Sequence, residues 1–137
     1  MQISKAGEAV GAVVDDVDVT KLSDDQFAEI RAAFRDHGAL FFRDQKLTPE
    51  AHIAFAQRWG PIDLNRFFKR REGYPEIAEV LKEADQQLNI GGGWHTDHSY
   101  DEAPAMGSIL YALEIPPSGG DTLFAGMAAA YAALDDE

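Results

Sequence analysis

The chain has 137 residues and a formal net charge of −12, with 45% hydrophobic residues, eight Phe, four Tyr, two Trp and no cysteine. That length holds one domain at most, and the missing thiols exclude both a disulfide framework and a thiolate metal site. The acidity repels phosphate backbones and argues against nucleic-acid binding, and no apolar run is long enough to span a membrane.

The start, Met1 to Glu8, lacks a basic region followed by an apolar run, so no signal peptide is expected. With no cysteine to oxidise, a reducing cytoplasm suits the composition. Val10 to Val19 is rich in valine and reads as a strand with a turn near Asp15-Asp16. Ser23-Asp24-Asp25-Gln26 is an S-x-x-Q capping box with acids in the first turn. Phe27, Ile30 and Phe34 follow at helical spacing, and Gly38 is the stop signal. Ala39 to Phe42 is a short apolar run, predicted as a buried strand. Thr48-Pro49 opens a second helix, with Phe55 and Trp59 on one face and Gly60-Pro61 after it.

Ile62 to Tyr74 has no clean period and is predicted as a loop. It holds Lys69-Arg70-Arg71, with Arg66 nearby, the basic exception on an acidic chain. This cluster is either a solvated turn or a recognition site for an anionic substrate. Ile77 to Lys82 reads as a further strand, and Asp85 to Gly93 as a polar approach ending in three glycines. From Ser108 to Ile115, alternation places Ile109, Tyr111, Leu113 and Ile115 on one strand face. Pro116-Pro117 closes that run, Gly119-Gly120 makes a turn, and Met127 to Leu134 begins a third helix. Patterning alone gives an α+β class with helices first and strands after.

The segment Trp94-His95-Thr96-Asp97-His98 carries the chemistry. In an extended segment, side chains two apart leave the same face. His95 and Asp97 then converge, and Thr96 points away. An imidazole nitrogen and a carboxylate oxygen suit Fe(II), Mn or Co better than a soft ion, and one more histidine completes the 2-His-1-carboxylate triad of non-heme Fe(II) oxygenases. A lone His-x-Asp is also a common surface hydrogen-bonded pair. His98 is an alternative ligand but faces opposite Asp97 in an extended segment. His37 and His52 read as ordinary cap or surface residues.

Trp94-His95-Thr96-Asp97, a strand-like run, and Pro116-Pro117-Ser118-Gly119-Gly120-Asp121-Thr122 together resemble the TauD/TfdA-like (taurine dioxygenase) family of Fe(II)- and 2-oxoglutarate-dependent oxygenases. That family reads W-H-[ST]-D followed by P-x-x-G-G-D-T. The resemblance implies a double-stranded β-helix, a jelly roll with flanking helices. Residues 1–137 would be the N-terminal portion of one such domain, truncated before the barrel is complete, with two or three strands after His95. It implies His95 and Asp97 as ligands of Fe(II), with 2-oxoglutarate and dioxygen as co-substrates, and Thr122 as a donor to a 2-oxoglutarate carboxylate. The implied reaction hydroxylates a small, anionic organic substrate and releases succinate and CO2. Lys69, Arg70, Arg71 and Asn89 are the candidate substrate contacts.

The family's second metal-ligating histidine and its 2-oxoglutarate-binding arginine lie far downstream of H-x-D. Between His95 and Glu137 there is no arginine, and the one further histidine is the adjacent His98. The chain stops in a helical pattern without a cap, so a truncated chain with little activity of its own is expected. Two rival readings stand beside this one: a hydrolytic zinc site of which His95, Asp97 and His98 form part, and an inactive remnant that serves as a binding or interaction fragment. Homo-oligomerisation of a full-length protein is left open.

Overall fold

A computed structural model describes every residue except Ala84, Leu88, Asn89, Asp136 and Glu137, so the expectation for Asn89 lies outside the described residues. In chain order the elements are β1 (Gln2–Lys5), β2 (Ala12–Asp15), α1 (Asp24–His37), β3 (Leu40–Phe42), α2 (Pro49–Gln57), β4 (Lys69–Arg71), β5 (Tyr74–Glu79) and α3 (Met127–Ala132). They fall into two compact units, Met1–Lys46 with Leu113–Glu137, and Leu47–Ala112. No helix among the described residues is long and apolar enough to cross a membrane.

The first unit is built on a three-stranded sheet, β1-β2-β3. β1 runs antiparallel to β2, and β3 runs parallel to it. A parallel pair needs a long crossover, and α1 supplies it. The start of α1 is fixed by reciprocal bonds: the Gln26 N–H donates to the Ser23 hydroxyl at 3.1 Å, and the Ser23 N–H donates to Gln26 Oε1 at 3.0 Å. Its end is fixed by Gly38, at a left-handed φ of 72°, whose N–H donates to the Phe34 carbonyl at 2.8 Å. Phe27, Ile30 and Ala33 are the buried positions of the helix, and Ala12 and Val14 those of β2. Ile30 and Val14 are the largest fully buried side chains, each worth roughly 1.5–3 kcal/mol of burial. Gln45 fastens the chain after β3: its Oε1 accepts from the Val19 N–H (3.0 Å), and its Nε2 donates to the carbonyls of Val17 (2.9 Å) and Arg43 (2.7 Å).

In the second unit the Thr48 hydroxyl caps α2 by accepting from the Ala51 N–H at 3.2 Å, and Pro49 sits where a missing N–H does no harm. Phe55 is buried and meets Trp59 edge-on, ring centroids 6.1 Å apart. β4 and β5 form an antiparallel hairpin through Glu72-Gly73, with a bulge at Arg70/Arg71. The Tyr74 hydroxyl joins it to α2 by donating to the Glu50 carboxylate. The stretch around Tyr111 is moored to the same helix. His52 Nε2 donates to the Ile109 carbonyl at 3.3 Å, and the Leu47 N–H donates to the Tyr111 hydroxyl at 3.3 Å.

Four expectations are corrected. Ser108 to Ile115 forms no strand, and no strand among the described residues follows Glu79. Alternation marks which side chains share a face, but a strand also needs a partner for its N–H and C=O groups. The predicted loop Ile62–Tyr74 contains β4, and the helices-first layout does not hold because β1 and β2 precede α1, β2 falling within the strand expected at Val10 to Val19. β3 is half-buried, not buried. The observed class is a mixture of helices with few strands.

Candidate metal centre

The His95 region is irregular backbone in the second unit, so its geometry rests on side-chain bonds rather than on a ladder. His95 Nδ1 lies 2.8 Å from the Gly93 carbonyl. A carbonyl only accepts, so Nδ1 carries the proton and Nε2 of the neutral ring keeps its lone pair. Nε2 stands 3.4 Å from Asp97 Oδ1. The second oxygen of that carboxylate, Oδ2, accepts from the Ser108 hydroxyl at 3.2 Å. The outward atoms are thus occupied and the two inward atoms face each other. The two side chains approach each other across a spacing of two, although no strand is present.

The separation of the inward pair is compatible with a shared cation. Two lone-pair atoms bound to one first-row ion at about 2.0–2.2 Å and near right angles lie about 3 Å apart, close to the separation here. A proton on Nε2 would make a conventional ion pair instead, but charge-assisted N–H···O bonds are shorter, about 2.7–2.9 Å. Both side chains are more than half exposed, 56% for His95 and 62% for Asp97, so solvent and a further ligand can reach the open side. Gly91 seats the ring: it has a φ of 68°, and a Cβ there would come within 3.1 Å of His95 Cε1. The Thr96 hydroxyl is engaged with Ser99 at 2.6 Å.

His98 belongs to a different group. Its backbone is left-handed, φ 52°, and its Nδ1 donates to Asp101 Oδ2 at 3.0 Å. The Arg66 guanidinium takes the other Asp101 oxygen and lies 5.6 Å from the centroid of the Phe67 ring. The His98 ring packs between Phe67 and Tyr100, at 5.5 and 5.9 Å. The hydrogen bond from His98, reinforced by Arg66, holds the Asp101 carboxyl below its ordinary range. Asp63, Leu64, Arg66, His98, Asp101 and Ala103 line a polar cavity of about 220 Å³. Among the described residues Asp63, His98 and Asp101 are the one set of three ligand-type side chains gathered around a point. His98 therefore does not join His95 and Asp97 in a three-ligand site. The roles of Asp63, Asp101 and Ser108 had no local signal in the sequence, because the partners are brought together by the chain path.

The basic residues lie on the β4–β5 hairpin. Lys69 is exposed with its Nζ 4.0 Å from a Glu79 oxygen, Arg70 is exposed, and Arg71 is half-buried near Glu50. Thr122 is exposed and lies in the first unit, between Gly119-Gly120 and α3.

Residues 2–137 match the family described as "Taurine catabolism dioxygenase TauD, TfdA family". The chain is 36% identical over 130 residues to an (S)-phenoxypropionate/alpha-ketoglutarate-dioxygenase of Sphingobium herbicidovorans, covering 93% of this chain and 45% of that protein. It is 34% identical over 141 residues to an alpha-ketoglutarate-dependent 2,4-dichlorophenoxyacetate dioxygenase of Cupriavidus pinatubonensis, covering 90% and 49%. Among solved structures, that of AAD-2 in complex with Mn(II) and N-oxalylglycine is similar at 30% identity and a TM-score of 0.68, covering 99% of this chain and 47% of that one. The chain spans about half the length of these relatives. By its match over nearly every residue, the chain belongs to the taurine catabolism dioxygenase TauD, TfdA family.

Proposed function

We propose that this chain supplies the His-x-Asp part of an Fe(II)- and 2-oxoglutarate-dependent dioxygenase that hydroxylates a small organic acid and releases succinate and CO2. The observation that carries the reading is the convergence of His95 Nε2 and Asp97 Oδ1 at 3.4 Å, with Nδ1 and Oδ2 turned outward onto other partners. The donor set, one imidazole nitrogen and one carboxylate oxygen, fits two of the three protein ligands of a non-heme iron centre. When bound, the iron together with 2-oxoglutarate and dioxygen supplies the oxidising power for breaking a substrate C–H bond.

The residues of this chain have narrower tasks. His95 and Asp97 hold the ion and leave its remaining positions open. Thr122 donates a hydrogen bond to a carboxylate of 2-oxoglutarate. The hairpin cations Lys69, Arg70 and Arg71 favour approach of an anionic substrate. The phenoxy acids named for the two relatives make an aryloxyalkanoic acid the substrate class of choice. Residues 1–137 form the N-terminal portion of a single jelly-roll domain, a reading supported by the likeness to AAD-2 over 99% of this chain.

The test is succinate release from 2-oxoglutarate with Fe(II), ascorbate and a phenoxyalkanoic acid. It is run on the 137-residue chain and on a full-length protein that carries it. Substrate-dependent succinate from the full-length protein, with little from the chain alone, is expected. Robust turnover by the 137-residue chain overturns the two-ligand account. No substrate-dependent succinate from either, across phenoxy acids and sulfonates, overturns the oxygenase reading.

A further inference from the structure

The carboxylate of Asp97 is 62% exposed, so packing does not hold its orientation. Rotation about the terminal torsion of an aspartate is broad and roughly two-fold. Left alone, the carboxylate would present either oxygen, or neither, to His95. One contact breaks that freedom: the Ser108 hydroxyl donates to Oδ2 at 3.2 Å. With Oδ2 engaged, Oδ1 is the oxygen that faces His95 Nε2.

Ser108 is itself anchored. The next residue, Ile109, accepts a bond from His52 on α2 through its carbonyl at 3.3 Å, and the Tyr111 hydroxyl accepts from the Leu47 N–H at 3.3 Å. The rings of His52 and Tyr111 add an edge contact at 6.2 Å. Ser108 thus stands between a capped helix and a ligand on irregular backbone. Within the second unit, the rigidity of α2 reaches Asp97 through Tyr111, Ile109 and Ser108.

We propose that Ser108 is a positioning residue for the metal site. By holding Oδ2, its hydroxyl leaves Oδ1 as the oxygen of Asp97 offered to the ion and ties the carboxylate to helix α2. This inference rests on the reading of His95 and Asp97 as ligands. Partners of this kind, one bond removed from the metal, typically change affinity about 10–100-fold when lost.

The experiment titrates Mn(II) into the 137-residue chain and follows the free-ion EPR signal, with circular dichroism as a check on folding. Wild type, Ser108→Ala, Ser108→Thr and His95→Ala are compared. Ser108→Ala is expected to weaken binding about tenfold, at the low end of that range, and Ser108→Thr, which keeps the hydroxyl, to restore most of it. A Ser108→Ala variant that binds like wild type, while His95→Ala loses binding, overturns the role of Ser108 and leaves the ligand reading intact. Weak binding by both Ser108 variants shows that the side chain acts by packing and also overturns it. Wild type no better than His95→Ala overturns the ligand reading and this proposal with it.

Discussion

His95 Nε2 and Asp97 Oδ1 face each other at 3.4 Å with no hydrogen between them when the ring is neutral. The proton of the ring is committed to the Gly93 carbonyl on the opposite side. Two lone pairs held face to face repel, and a cation placed between them removes the repulsion. The proposed metal role rests on this arrangement, with Gly93 and Ser108 on the outward atoms.

Replacement of either inward group should therefore abolish divalent-ion binding, whereas a neighbouring histidine should not matter. His95→Ala and Asp97→Ala are expected to lose Mn(II) binding in an EPR or calorimetric titration. His98→Ala, whose ring serves Asp101, is expected to keep it. Loss of binding in His98→Ala with binding kept in His95→Ala would move the centre to the cavity lined by Asp63, His98 and Asp101.

Gly91 and Gly93 make a controlled pair. At Gly91 the backbone is left-handed, and a Cβ would meet the His95 ring at 3.1 Å; at Gly93 a Cβ would meet nothing within 4 Å. Gly91→Ala should cost about 1 kcal/mol or more in backbone strain and should also weaken Mn(II) binding by tilting the ring. Gly93→Ala keeps its carbonyl and should do neither. Equal metal affinity in both variants would remove Gly91 from the description of the site.

The helices were legible in the sequence because their signals are local. Ser23, Gln26 and Gly38 state where α1 begins and ends, and Thr48-Pro49 does the same for α2. The strands were legible only in part. β3 was anticipated from Leu40-Phe41-Phe42, whereas β1, polar and four residues long, had no pattern to betray it. Ser108 to Ile115 failed in the other direction. Its alternation is real, yet Leu113 and Ile115 are each 75% exposed and pair with no strand among the described residues. The His-x-Asp pair was legible because two residues apart is a local relation. Ser108 was not, since its relation to Asp97 is set by how the second unit folds back on α2.

The caps of α1 give a stability test independent of any ligand. Ser23→Ala removes the hydroxyl that accepts from the Gln26 N–H, leaving the backbone half of the box, and is expected to cost about 1 kcal/mol, within the usual range of roughly 0.5–2. Gly38→Ala forces a side chain into a left-handed φ of 72° and should cost about the same or more. Urea denaturation, read as a midpoint shift at constant slope, measures both. No change in Ser23→Ala would mean that the box is not populated in solution.

Asp101 ties stability to acid. Its folded carboxyl is held low, first by the hydrogen bond from His98 and then by Arg66, so the folded state binds its proton less readily than the unfolded chain does. The resulting stabilisation is complete above the ordinary carboxyl value and is lost as pH falls through the depressed one. Carbon-detected NMR titration should place Asp101 below free aspartate, and His98→Ala and Arg66→Ala should each return it upward. An Asp101 that titrates normally in the wild-type chain would show that the bonds from His98 and Arg66 are not kept in solution.

Thr122 and the hairpin cations are expected to separate by kinetics in a full-length protein. The hydroxyl of Thr122 has one task in the proposed reaction, donation to a carboxylate of 2-oxoglutarate. Thr122→Val preserves shape and removes the donor. A hydrogen bond to a charged acceptor is worth roughly 1.5–3 kcal/mol, or about tenfold and upward in affinity. The apparent KM for 2-oxoglutarate should rise by that factor and the KM for the organic acid should stay nearly unchanged. Neutralising Lys69, Arg70 and Arg71 together should do the reverse. The effect should shrink as salt is raised, because exposed charges are screened over about 8–10 Å near physiological ionic strength. The Lys69 contact to Glu79, at 4.0 Å and largely exposed, is too loose to cancel the charge, so the cluster remains available to an anion. An unchanged KM for 2-oxoglutarate in Thr122→Val would withdraw the cofactor role from that residue. Substrate kinetics indifferent to both charge removal and salt would return the hairpin cations to solvated surface.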